Sequence, residues 1–364
     1  MTGLRGAPPG ADLRLRDFAP RSMLRVPEHL VEQPRFPVVD AHNHVGSVFG
    51  GKWLERPVGE LLAILDRAGV ATLVDLDGAW GDQLRAEIAR YQEPYPDRFV
   101  VFAGIDYRNF EVDRAFGETE ARRLRDSASA GARGLKVWKA LGLWLRDPNG
   151  RLITPDDPRL DPLWETAGEL RLPVLIHVAD PIAFFEPLDG KNERYEELLL
   201  HPDWHFYPTR PPDQPDRPGF PTFDEVIEQL ARLVERHPET TFIGAHVGCN
   251  AEDLRWVGQL LDACPNFYVD IGARLAELGR QPYTAREFFL RYSDRILFGV
   301  DQSPDVEIYR RYYRFLETRD EYFSYDVNDP PGQGRWAIYG IDLPDEVLRR
   351  VYGENARRLL GLPG

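Results

Sequence analysis

The chain has 364 residues, and its 45 basic side chains against 59 acidic ones leave a net charge of −14. Such a surface repels phosphate backbones and anionic lipid, so neither nucleic acid nor a membrane surface is an expected partner. A hydrophobic fraction of 43 %, with 12 % aromatic residues, supplies a packed core and excludes a disordered chain.

Residues 1–35 are rich in Pro, Arg and Gly and read as an irregular N-terminal arm laid over the body or over a neighbouring subunit. They lack the apolar stretch of a secretory leader, and no later run approaches bilayer length, so a cytoplasmic protein is expected. Cys249 and Cys264 are too few for a disulfide framework and read as two buried thiols.

From residue 36 to 364 the texture changes to one domain in which short apolar runs alternate with segments of helical period. The runs are Pro37–His44, Ala71–Leu76, Phe99–Ile105, Gly134–Trp138, Pro173–Val178, Thr241–His246, Asn266–Ile271 and Arg295–Asp301. Most are apolar almost throughout, as strands of a parallel sheet buried on both faces must be. Helices are expected over Val58–Ala68, Asp82–Tyr91, Asp113–Ala130, Asp161–Leu170, Phe223–Arg236, Ala251–Ala263, Thr284–Tyr292 and Pro304–Leu316. Asp161, Thr222 and Thr284 read as N-caps. Eight strand-then-helix units predict an α/β fold, a (β/α)8 TIM barrel. The rival, an open doubly wound sheet, would show fewer units and often a glycine-rich loop after the first strand, where this chain has His-Asn-His.

Three connections are long. The stretch 179–221, after strand 5, is dense in Pro, aromatic and charged residues and reads as an ordered lid. Further insertions are Lys139–Pro158 and Asp320–Gly340, and residues 344–360 read as C-terminal helices closing the barrel.

The chemistry gathers at strand ends. His42 and His44 are two apart on the first strand, so both face the barrel interior at its C-terminal rim, where barrel enzymes keep their active groups. His177 ends the fifth strand, His246 the sixth and Asp301 the eighth. Imidazole and carboxylate are donors for zinc or iron, and a set of them at one rim is more than loop chance provides. Lys136 sits in the fourth strand in phase with Trp138, which permits an inward position; Lys139 is the less favoured alternative. Trp53, Trp80, Trp138, Trp144 and Phe185 lie where aromatics would ring the mouth. Arg274, after the seventh strand, could pair with a carboxylate or phosphate. Asp180, three residues after His177, could orient a group behind the ligands or simply cap the first turn of the lid.

The segments VVDAHNHVG (38–46), VLIHVAD (174–180), FIGAHVG (242–248), ILFGVD (296–301) and ENARRLL (354–360) together resemble the amidohydrolase superfamily, in its branch of aminocarboxymuconate-semialdehyde decarboxylase-like proteins. The resemblance implies that His42, His44, His177 and Asp301 bind one divalent metal ion, zinc first, with manganese or iron as alternatives. It implies that Asp301 also carries a proton and that His246 stands beside the reacting oxygen, making Asp301 and His246 the catalytic pair. Two-metal relatives carry a carboxylated lysine on the fourth strand, which Lys136 would supply, but a second ion is not expected in this branch. Lys136 is otherwise a substrate contact, as are Arg274, Trp138 and Trp80. The activity implied is a metal-dependent hydrolase acting on a small-molecule ester, lactone or amide. The alternative is a non-oxidative decarboxylase of an aromatic or unsaturated acid, and a non-catalytic binding barrel is third. A homodimer is suggested by analogy with relatives.

Overall fold

The computed structural model describes residues 12–14, 17–18, 20–207 and 219–363. Eight parallel strands form its centre: β1 Val38–Asn43, β2 Val70–Asp75, β3 in two pieces (Phe99–Val101 and Ala103–Gly104), β4 Leu135–Val137, β5 Val174–Ile176, β6 Phe242–Gly244, β7 Phe267–Asp270 and β8 Ile296–Leu297. Each pairs with the next in parallel register. The break in β3 falls at Phe102, where hydrogen bonding passes from one neighbour to the other. Phe102 N–H donates to Asp75 O at 2.9 Å and Ala103 N–H to Gly134 O at 2.9 Å. The ring comes round through two backbone bonds rather than a full ladder, Ala41 N–H to Phe298 O (2.9 Å) and Asp301 N–H to His42 O (2.8 Å). The fold is the expected TIM barrel.

The barrel interior is filled by inward residues such as Val39, Ala41, Val74, Phe102, Leu175 and Ile243. Its lower end is plugged by the last helix, Asn355–Leu360, whose Ala356 and Leu360 join that cluster. Around it lie α1 Val58–Ala68, α2 Gly81–Glu87, α3 Phe116–Ser129, α4 Asp161–Glu169, α5 Phe223–Arg236, α6 Leu254–Ala263, α7 Pro282–Arg291 and α8 Val306–Glu317. The short link α1–β2 shows how the rhythm is encoded. Gly69 takes φ 71°, returns its N–H to the last turn of α1, and the next residue starts the strand.

Thr222 caps α5 through a reciprocal capping box with Glu225. The other two expected caps are displaced. Asp161 is the first residue of α4, because a turn capped by Asp157 runs straight into it. Thr284 lies inside α7, which Pro282 starts two residues earlier.

One irregularity positions the site. The β1–β2 register shifts between Asp40 and Asn43. The side chains of both then face α8, where Asp40 accepts from Asn43 Nδ2 (2.7 Å) and from the Tyr309 hydroxyl (2.7 Å). The bulge leaves His42 on the inner side, over Gly299, where a Cβ would come within 2.8 Å of the His42 Cβ.

In the arm, residues 20–35 carry no helix or strand; His29 binds Asp320, and Arg35 binds Glu317 and Asp345. In the lid, short turns over Ile182–Phe185 and Pro202–Trp204 and a short helix over Tyr195–Leu200 precede residue 207, and 208–218 lie outside the described residues. No helix among the described residues is long and apolar enough to cross a membrane.

Replacing Thr222 with Ala removes one half of the capping box and is expected to lower stability by about 1 kcal/mol. In urea unfolding this reads as a lower midpoint with an unchanged slope.

Candidate metal centre

At the C-terminal rim three imidazoles surround one carboxylate. Asp301 Oδ1 lies 3.6 Å from His42 Nε2 and 3.4 Å from His44 Nε2, and Asp301 Oδ2 lies 3.5 Å from His246 Nε2. These separations are too long for good hydrogen bonds. They match the ~3.4 Å expected between donor atoms held at ~2.05 Å around a tetrahedral ion. The chosen donor atoms of His42, His246 and Asp301 all lie within 4.8 Å of one another.

The outer nitrogens explain why the inner ones are available. His42 Nδ1 is 2.9 Å from Asp270 Oδ2, His44 Nδ1 is 2.7 Å from Asp77 Oδ1, and His246 Nδ1 is 2.7 Å from the Gly272 carbonyl. Each acceptor fixes the proton on Nδ1 and leaves the Nε2 lone pair toward Asp301. Burial holds the His42 and His246 imidazoles well below their ordinary value, and the neighbouring Lys136 and Arg274 charges add to it. Neutral imidazole is the ligating form. Asp270 is itself fixed by the N–H groups of Gly272 (2.8 Å) and His246 (3.2 Å), while burial pushes its carboxyl up to about 6.

The backbone at the rim is strained. Asp301, Ala273, His246, Val247 and Cys249 all take φ between 49° and 60°. Non-glycine residues held there cost on the order of 1 kcal/mol each and persist only where the surroundings over-determine them.

His177, expected among the ligands, lies against the His246 ring with centroids 4.5 Å apart, and its Nε2 is 3.3 Å from Asp180 Oδ1. That buried nitrogen has no hydrogen-bond partner of good geometry. Asp180 is bound in turn by Lys139; burial pushes its carboxyl up, but the Lys139 charge and His177 outweigh this and leave it low. His246, expected beside the ion rather than on it, is the imidazole that joins His42 around Asp301.

Lys136 is fully buried below the ligands. Its Nζ is 3.3 Å from His42 Nε2 and 4.9 Å from the Trp138 ring centre, and burial brings its amine down to about 8. Above the donors opens a cavity of about 410 Å³ lined by Trp138, Phe184, Arg274, Glu197, Tyr325 and Gln333 among others. Trp80 lies outside it, under the guanidinium groups of Arg108 and Arg123. Trp53, Trp144 and Phe185 do not line it either. Trp53 donates to Ser303 Oγ (3.1 Å), Trp144 stacks on Phe206, and Phe185 packs between Phe206 and Phe223.

Arg274 is 5 % exposed. Its Nη1 donates to the Ala273 carbonyl at 2.9 Å, and no carboxylate lies within ion-pair distance of it among the described residues. Its charge bears on His246 and Glu197. Glu277, Glu252 and Asp270 also feel that charge, so the guanidinium is balanced at a distance while its cavity-facing side has no carboxylate in contact and can receive an anion.

A sequence model described as amidohydrolase matches residues 39–362. The chain belongs to the amidohydrolase family. Among solved structures this family member is similar to a 2,6-dihydroxybenzoate decarboxylase from Rhizobium, at 17 % identity, 90 % of this chain and 100 % of that one, with a TM-score of 0.54. It is similar to a dihydroxybenzoic acid decarboxylase from Polaromonas, with bound manganese and the inhibitor 2-nitroresorcinol, at 16 % identity, 90 % and 98 % coverage and a TM-score of 0.57. A third likeness is to an uncharacterised TIM-barrel protein from Bordetella bronchiseptica, at 14 % identity, 89 % and 98 % coverage and a TM-score of 0.54. These likenesses establish the fold. No curated protein matches the chain.

The residues present fit a divalent ion: the His42 and His246 imidazoles, kept neutral by burial, and the Asp301 carboxylate lie at ligand spacing, with His44 Nε2 beside Asp301. Asp270→Asn and Asp77→Asn are each expected to weaken manganese binding about tenfold or more by loosening His42 or His44. Competition against a chromophoric chelator measures this, with circular dichroism showing the fold retained.

Proposed function

We propose that this protein is a metal-dependent non-oxidative decarboxylase of an aromatic or unsaturated carboxylic acid. The observation that carries the reading is Arg274, a buried guanidinium with no carboxylate in direct contact, in a cavity walled by Trp138 and Phe184 beside the imidazole–carboxylate cluster. A hydrolase, the first expectation from the sequence, would use the same donors but gives this buried cation no evident task. The decarboxylase activity named for the Rhizobium and Polaromonas structures points the same way.

His42, His44, His246 and Asp301 would hold the ion, with His177 adjacent. Manganese is the first ion to test, because the Polaromonas structure contains it. A bound divalent cation supplies Lewis-acid stabilisation of negative charge on substrate oxygens.

The protein's own residues do the rest. Arg274 holds the substrate carboxylate and thereby sets which carbon faces Asp301. Trp138 and Phe184 wall the apolar part of the substrate and exclude water. Asp301, 20 % exposed toward the cavity, passes a proton to the carbon bearing the carboxylate. The C–C bonding pair then stays on that carbon, carbon dioxide leaves, and the net change is replacement of carboxylate by hydrogen with one proton consumed. Carbon dioxide departs neutral, so the Arg274 contact is stronger in the ground state than in the transition state.

With manganese-loaded protein and a panel of hydroxybenzoates, one equivalent of carbon dioxide is expected per acid consumed. His42→Ala and Asp301→Ala should be inactive. Arg274→Met should raise KM at least about tenfold and leave kcat unchanged or higher, because the lost contact is no stronger in the transition state than in the ground state. Turnover of esters or lactones without carbon dioxide release would reject this reading in favour of a hydrolase.

A further inference from the structure

Glu197 is the feature of the cavity that the decarboxylation reading does not use. It lies on the short lid helix Tyr195–Leu200, is 8 % exposed and lines the same cavity as Arg274 and the metal donors. One oxygen, Oε2, accepts from Arg194 Nη1 at 2.7 Å. The other has no hydrogen-bond partner among the described residues, yet it is not enclosed, in contrast to Glu277 Oε2 and Arg194 Nε nearby.

The carboxylate is held firmly. Arg194 is almost fully buried, bound at its other end to Glu277, and packed between the rings of Phe184 and Trp336. A side chain locked through a buried partner presents its free oxygen in one place. Burial pushes the Glu197 carboxyl up, and the Arg194 and Arg274 charges pull it back. The cavity therefore offers a cation at Arg274 and, on the lid side, an acceptor of opposite sign.

We infer that Glu197 is a specificity-determining residue: it selects acids that carry a hydroxyl or amino donor at the end away from the metal, and rejects those with a second carboxylate there. The donor would give Oε1 a charge-assisted hydrogen bond, whereas a second carboxylate would meet like charge in a partly dry site. The inference rests on the decarboxylase reading in taking Arg274 as the carboxylate anchor.

The test is binding of matched pairs, the three hydroxybenzoate isomers against phthalate, isophthalate and terephthalate. It uses rapid-mixing tryptophan fluorescence of the manganese-loaded protein, so that turnover does not enter. The wild type is expected to bind at least one hydroxybenzoate about tenfold more tightly than its dicarboxylate partner. Glu197→Gln keeps the shape and an acceptor for Arg194 but removes the charge, and should reduce that ratio about tenfold. Glu197→Asp, which withdraws the oxygen, should reduce it as well and serves if the glutamine variant does not fold. An unchanged ratio in either folded variant, or no preference for any hydroxyl isomer in the wild type, overturns the role of Glu197. Arg274→Met with unsubstituted benzoate separates the two claims. Lost benzoate affinity there with an unaltered ratio in the Glu197 variants sinks only the present inference, whereas unaltered benzoate affinity, or no binding by any of the acids, sinks the anchor beneath it.

Discussion

Three hydrogen bonds made by the outer faces of buried histidines govern the site. His42 gives its Nδ1 proton to Asp270, His44 to Asp77 and His246 to the Gly272 carbonyl. With those protons committed outward, and burial keeping the His42 and His246 rings neutral, three Nε2 atoms converge on Asp301. Asp301 brings a negative charge to the rim, facing the buried Lys136 amine below and the cavity above. A divalent cation would satisfy the His42, His246 and Asp301 donors together. Among the described residues Lys136 and Arg274 are the cations whose charge reaches these imidazoles, and burial brings the Lys136 amine down to about 8.

The rest of the fold serves that convergence. Parallel strands carry their C-terminal ends to one rim, so residues far apart in the chain meet there. The bulge in β1 turns His42 inward, and Gly299 makes room beneath it. Left-handed backbone at His246, Ala273 and Asp301 sits at that rim, where packing of the surrounding strands and of Tyr312 offsets its cost. The lid is tied to the barrel by the buried pair Arg194–Glu277 and the exposed pair Arg280–Glu193, and to the 320–340 insertion by Arg335–Glu196. These hold it over the cavity rather than leaving it to pack by apolar contact alone.

All eight strands and their following helices were legible in the sequence, because doubly buried parallel strands leave near-continuous apolar runs and amphipathic helices leave a stripe. His42, His44, His246 and Asp301 were legible for a related reason, as polar groups directly after apolar runs. Asp77 and Asp270 occupy comparable positions and were overlooked. An acidic residue at a strand end usually reads as a solvated turn, and only the pairing with a histidine from another strand shows otherwise. That His246 rather than His177 lies nearer Asp301 depends on how two neighbouring strand ends pack, with His177 Nε2 left 3.3 Å from Asp180 Oδ1, and no residue pattern encodes it. Trp80 was assigned to the mouth by position along the chain, but two arginines on the neighbouring β3–α3 segment hold it elsewhere. Glu197 lies in a lid without periodicity, where nothing in the residue pattern distinguishes it from the acidic residues around it.

The central claim is that the rim donors form one cation site. Anomalous diffraction at the manganese edge, from crystals grown with manganese, tests it most directly. The account predicts a single strong peak among His42 Nε2, His246 Nε2 and the Asp301 carboxylate. A fully ordered rim with no peak there at saturating manganese, or an ion bound without Asp301, would contradict it.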